Sequence, residues 1–164
     1  MPNTNLRVIQ PSRRKPNAGD VFALWLPDDT YVFGRVIEAD ISEPNRAPMP
    51  GSYLVYVYQH RAREMSPDLE ALTTDALLIP PLFTNRMPWT KGYFSNVAHE
   101  APRPEHELAE LSFWDALRGE FVDRERNTLD HEIPPAGTWG LVSYRWLDDR
   151  VSEALGFEPV PRED

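Results

Sequence analysis

Few residues in this chain have the type and spacing that chemistry requires. The four histidines are His60, His99, His106 and His131, and no two have the separation of a metal-binding pair on one element. His106-Glu107-Leu108-Ala109-Glu110 begins as a zinc-protease helix begins, but Glu110 stands where a second histidine must sit one helical turn later. The stretch reads instead as solvated surface. Ser143, in Gly140-Leu141-Val142-Ser143-Tyr144, lacks the glycine spacing of a nucleophile elbow and reads as a strand residue. Lys91-Gly92 lies in an aromatic turn, not in a glycine-rich phosphate loop. Having no cysteine, the chain excludes disulfides, thiol catalysis and cysteine-ligated metals. Carboxylates are abundant, and a pair brought together by folding could hydrolyse a bond by general acid–base chemistry. The adjacent pairs, however, read as structural: Asp28-Asp29 as a hairpin turn and Asp148-Asp149 as a helix cap. The residues thus name no catalytic group, no metal ligand and no cofactor.

The elements are clearer. In Gly19 to Ile41 two apolar, aromatic-rich runs flank Pro27-Asp28-Asp29-Thr30, which predicts an antiparallel hairpin. Val21, Ala23 and Trp25 share one face and Phe22, Leu24 and Leu26 the other, so the first strand is expected to be covered on both sides. Gly34 marks a bulge or a close approach in the second strand. Tyr53 to Gln59 predicts a third strand inside the sheet, and Leu77 to Thr84, interrupted by Pro80-Pro81, an edge strand. Ser66-Pro67-Asp68 predicts the start of a short helix, and a tight turn at Lys91-Gly92 precedes another short strand. Residues 108–126 fit either a helix stripe or two strands around Arg118-Gly119. Trp139 to Trp146 predicts a strand, and Leu147 to Gly156 a helix with Asp148 as its cap and Gly156 as its stop. The expected fold is α+β and β-rich: a strongly twisted antiparallel sheet or a small, partly open barrel with one or two short helices.

The 164 residues suffice for one domain, and 17 prolines against 8 glycines argue for short strands and rigid loops. The expected layout is a loosely held basic arm at 1–18, a single domain at 19–157 and an acidic tail at 158–164. No apolar run is long enough to span a bilayer and no secretory leader is visible, so the expectation is a cytoplasmic protein without a membrane partner. The net charge is −9, with ten acidic against four basic side chains in residues 100–132. Such a field disfavours nucleic acid and favours a cationic protein partner. Trp89, Tyr93, Phe94, Trp114 and Trp139 are too many to assign to the core with ease, and an aromatic inside an acidic rim has the composition of a binding hot spot.

Three stretches together resemble a known family. Lys15 to Ile37, with Gly19-Asp20-Val21-Phe22-Ala23 and the Tyr31-x-x-Gly34-Arg35-Val36 strand, is similar to the opening signature of the immunity protein 26 family, found beside polymorphic toxins in bacteria. Pro88-Trp89-x-x-Gly92-Tyr93-Phe94 resembles its middle motif. Gly140-Leu141-x-Ser143-Tyr144, leading to Ala154-Leu155-Gly156, resembles its closing strand and helix. The resemblance implies a cytoplasmic protein that protects its producer by binding a cognate toxin, with no chemistry of its own. On that reading an acidic, aromatic-bearing C-terminal half docks on a basic toxin surface through Trp89, Tyr93, Trp114, Asp115, Glu120 and Asp123. A small carboxylate-pair hydrolase, or a generic peptide-binding or structural module, stands as the alternative.

Overall fold

A computed structural model describes residues 3–162. Its centre is a five-stranded sheet in the order β4-β3-β2-β1-β5, built from β1 (Asp20–Trp25), β2 (Tyr31–Ile41), β3 (Ser52–Ala62), β4 (Leu77–Thr84) and β5 (Ser95–His99). All four pairings are antiparallel. The opening hairpin closes where expected, with Trp25 opposite Tyr31 and Asp28 accepting hydrogen bonds from the Thr30 amide and hydroxyl. β3 is internal and β4 lies at the edge, where the missing N–H groups of Pro80 and Pro81 break no ladder.

Alternation along the strands sends apolar side chains to both faces, and each face is covered by a different layer. On one face Phe22, Leu24, Val32 and Val36 meet Leu6, Trp89, Phe94, Leu147 and Val151. Leu6 comes from the N-terminal segment, Trp89 from the short helix α1 (Met87–Thr90), Phe94 from the turn that follows it, and Leu147 and Val151 from α2 (Tyr144–Leu155). Phe22 stacks on Phe94 at 4.1 Å and meets Trp89 edge-on at 5.4 Å. Such aromatic pairs add roughly 0.5–1.5 kcal/mol each beyond the area they bury. On the other face Val21, Phe33, Tyr56 and Phe83 meet Phe113, Val122 and Trp139. Those three belong to, or directly follow, a second sheet of β6 (Ser112–Asp115), β7 (Glu120–Val122) and β8 (Ala136–Thr138). The fold is therefore β-rich with two sheets and one long helix, and neither sheet closes into a barrel.

Gly34 holds the hairpin close to its neighbours. A Cβ there would lie 2.3 Å from Phe22 Cζ and 2.8 Å from the Tyr56 carbonyl oxygen, and the β2–β3 register shifts between Val32 and Gly34. The position needs the absence of a side chain.

Four expectations are corrected. The N-terminal segment is no loose arm: Thr4 and Leu6 are buried, and the Arg7 N–H donates to the Trp25 carbonyl at 3.0 Å. Asp148 accepts from the Asn5 and Leu6 amides at 2.9 and 2.7 Å, tying the segment to α2. Trp139 to Trp146 is not a strand, because Ser143 accepts from the Trp146 amide at 3.1 Å and caps a helix that begins at Tyr144. Asp148 is consequently a buried residue inside α2, not its cap, while Gly156 ends the helix in the left-handed conformation as expected. The helix expected from Ser66 reduces to one 3₁₀ turn, Leu69–Ala71, capped by Asp68. The ambiguous stretch 108–126 resolves as two strands around a turn, β6 and β7.

Candidate binding surface

The second sheet sorts its residues by alternation. Phe113 points to the core, 5.0 Å from the Phe83 ring and 5.8 Å from Trp139. Trp114 points outward with 41% of its surface exposed, and Phe121, its partner across the antiparallel pair, meets it edge-on at 5.0 Å. Thr138 stands beside Trp114 on the parallel side. Leu117, at the tip of the β6–β7 turn, is 92% exposed. Thr138, Gly140 to Ser143 and Trp146 line an open cleft of about 310 Å³ that extends from this face toward α2, where Trp146 is itself exposed. Leu117, Trp114, Phe121 and Trp146 thus sit on or beside one outward face.

Acidic groups border it. The Leu129 N–H bonds to the Phe121 carbonyl at 2.8 Å, which places the exposed Asp130 next to the aromatic pair. Ser112 Oγ donates to the Ile133 carbonyl at 2.6 Å and accepts from its amide at 2.9 Å, so Glu132 lies near the start of β6, the strand that the exposed Glu110 shortly precedes in sequence.

Of the six residues expected at the partner surface, Trp114 alone combines strong exposure with a place on this face. Trp89 is 2% exposed, packed among Phe22, Tyr53 and Phe94, and its indole donates to Asn96 Oδ1 at 2.9 Å. It belongs to the scaffold. Tyr93 is half-buried on another element, stacked on Tyr144 at 5.2 Å. Asp115 is buried: it accepts from Arg126 at 2.9 Å and from the Leu117 and Arg118 amides, shaping the β6–β7 turn. Burial opposes its ionisation, but these hydrogen bonds, led by that of Arg126, outweigh it and hold the carboxyl below the usual carboxylate range. Glu120 accepts from the Thr128 hydroxyl at 2.8 Å, and Asp123 accepts from the amides of Glu125 and Asn127. All three acids of the expected set are committed to their own hairpin and its following turn.

A second polar cluster was legible only as a motif residue. Arg35 is buried in β2, donates through Nε to Tyr58 Oη at 3.1 Å and through Nη1 to Glu100 Oε1 at 3.1 Å. Arg103 donates to His106 Nε2 at 3.1–3.3 Å, which occupies the lone pair a general base would need. The cavity beside Arg35 and His106 holds about 10 Å³, the space of a single water. It is too small for a substrate, and no group of three or more His, Asp or Glu placed to hold a metal occurs among the described residues. Nor, among those residues, is any helix long and apolar enough to cross a membrane.

Phe121, Leu117 and Trp146 were missed as surface candidates. The first was within reach, because a strand pair around Arg118-Gly119 places Trp114 and Phe121 on one side by alternation alone.

In comparisons with known proteins, no curated protein and no solved structure matches the chain. A family model described as immunity protein 26 matches residues 17–123. That range takes in the Gly34-Arg35 strand, the Trp89 to Phe94 motif and the β6–β7 hairpin, and ends before the Gly140 to Gly156 stretch that resembles the family's closing elements. Since the match covers well over half of its length, the chain belongs to the immunity protein 26 family.

Proposed function

We propose that this protein neutralises a cognate bacterial toxin by binding it inside the producing cell, with no reaction of its own. Membership of an immunity-protein family, whose members are in general not enzymes, supports this reading. The observation that carries the choice of surface is the outward pair Trp114 and Phe121, with Leu117 at the hairpin tip and Asp130 beside them. Apolar side chains left in water at the centre of an acidic rim match the anatomy of a protein-binding patch. The surplus of negative charge in residues 100–132 suits a toxin with a basic docking surface, and such pairs associate fast and lose rate with salt. Exposed Glu110, Asp130 and Glu132 take the electrostatic part first given to Asp115, Glu120 and Asp123.

Coexpression with the toxin domain encoded beside its gene tests the reading. Growth rescue together with a stable copurified complex is the expected result. Continued killing at equal expression, with no complex, overturns it.

A further inference from the structure

On the layer opposite the second sheet, two segments far apart in sequence bring positive charge together. The Ile9 N–H donates to the Gly92 carbonyl at 2.8 Å and the Ser12 N–H to the Trp89 carbonyl at 3.0 Å, laying the N-terminal segment along α1 and its turn. Gly92, at φ +87°, makes the approach possible, since a Cβ there would stand 2.7 Å from Pro11 N. Arg13, Arg14 and Lys15 therefore emerge beside the stretch that carries Arg86 and Lys91. Among the described residues, Arg13, Arg14, Arg86 and Lys91 have no carboxylate at ion-pair distance, and Lys15 has Asp40 at 3.6 Å. In a chain of net charge −9 this is an island of the opposite sign.

The island borders a cleft of about 460 Å³ lined by Lys15, Arg86, Asn85, Tyr53 and Met87, with Asp40 on its wall. Its volume falls in the usual range of small-ligand sites, roughly 300–1,000 Å³. Asn85 Oδ1 accepts the Met87 N–H at 2.9 Å, which leaves the amide NH₂ as a donor. Burial, and then Asp40, push the Tyr53 pKa up against the pull of Arg86, so its hydroxyl stays protonated and able to donate. The cleft thus offers a guanidinium, an ammonium and two neutral donors.

We propose that this cleft binds one dianionic phosphoryl group, free or as the ester of a small molecule. Arg86 supplies a planar fork that matches two phosphoryl oxygens, and Lys15 adds a point charge. A single phosphoryl group fits better than a nucleic-acid strand, because the net charge of the protein repels an extended phosphate backbone. Asp40 opposes the ligand and sets a modest affinity. The cleft lies on the layer opposite the second sheet and uses none of the residues of the proposed toxin-binding face.

The test is a ¹H–¹⁵N NMR titration of the full chain at low salt with inorganic phosphate, adenosine monophosphate and adenosine. Saturable shifts at the Lys15, Arg86 and Met87 amides are expected with the two phosphoryl ligands and none with adenosine. Tighter binding of the monophosphate identifies an ester as the source, and equal binding identifies free phosphate. Arg86→Gln and Lys15→Gln should each weaken binding about tenfold, as loss of a charge-assisted hydrogen bond does. Asp40→Asn should tighten it severalfold, an effect that general unfolding cannot mimic. Equal shifts with adenosine, no saturation by about 20 mM phosphate, or unchanged binding by Arg86→Gln overturns the proposal.

Discussion

Arg35 Nη1 lies 3.1 Å from Glu100 Oε1, and this ion pair fastens the loop after β5 to the buried centre of β2. The Arg35 side chain is 2% exposed and that of Glu100 23%, so the cation is the partner that water cannot rescue. Tyr58 Oη and the His106 ring complete its surroundings.

Removing the carboxylate should therefore strand a buried charge. Glu100→Gln is expected to cost about 3 kcal/mol, the scale for breaking a buried pair from one side. Arg35→Met with Glu100→Gln should cost less than the two single changes summed. Urea unfolding of the four proteins at pH 7 measures the coupling, and strict additivity would rule out the clamp.

His106 gives the same cluster a pH dependence. Burial first, and then the positive charges of Arg35 and Arg103, hold its pKa below 6.5, while Glu100 and Glu105 pull the other way. The unfolded chain then binds more protons than the folded one, so this contribution to stability is complete above about pH 6.5 and is lost as pH falls toward the lowered value. His106→Gln removes the titration. Its unfolding free energy should change less between pH 7.5 and 5.5 than that of the parent, and a parallel pair of pH profiles would refute the assignment.

These two relationships also mark what the sequence could convey. The hairpin, the internal β3 and the proline-bearing edge β4 were legible because alternation and proline act locally. The helix at Tyr144 was not, since Trp139 to Trp146 alternates like a strand and only the Ser143 side chain, capping the Trp146 amide, tips it into a helix. Nor was the seating of Asn5 and Leu6, which are held by Asp148, more than 140 residues away in sequence. In the candidate site the acids were visible but their partners were not. Asp115 looks like any surface aspartate until folding places Arg126 at 2.9 Å. Net charge could point to the acidic half, but only the fold separates the acids that are free from those already bonded.

Gly34 offers a check on the packing of the hairpin. Gly→Ala usually stabilises by about 0.4–1 kcal/mol through the unfolded chain. Here the added carbon would lie 2.3 Å from Phe22 Cζ and 2.8 Å from a carbonyl oxygen, so Gly34→Ala should instead destabilise by about 1–3 kcal/mol. Thermal unfolding followed by circular dichroism decides between the two signs.

The N-terminal segment should loosen without collapse of the sheet. Both Asp148 oxygens accept backbone N–H groups, from Asn5 and Leu6, and asparagine has only one acceptor oxygen. Asp148→Asn is expected to cost about 1–2 kcal/mol. It should raise hydrogen exchange at the Asn5 and Leu6 amides well before that of β3, and uniform acceleration across the chain would contradict a local tether.

The proposed binding face makes the sharpest separation between scaffold and surface. Trp114 and Leu117 are exposed, and neither side chain makes a hydrogen bond among the described residues, so Leu117→Ser should shift stability by less than about 1 kcal/mol and Trp114→Ala, which also loses the edge-on contact with Phe121, by about 1–2 kcal/mol. Each ought nevertheless to weaken toxin binding, Trp114→Ala by about 30-fold or more if it is a hot spot. Asp115→Asn should behave in the opposite way, destabilising the fold by loosening the Arg126 bond and the β6–β7 turn, while any folded fraction still binds. Surface plasmon resonance against the neighbouring toxin domain, read beside thermal melts of the same variants, separates the two classes. Full protection by the Trp114→Ala, Leu117→Ser double variant would move the binding face elsewhere on the molecule.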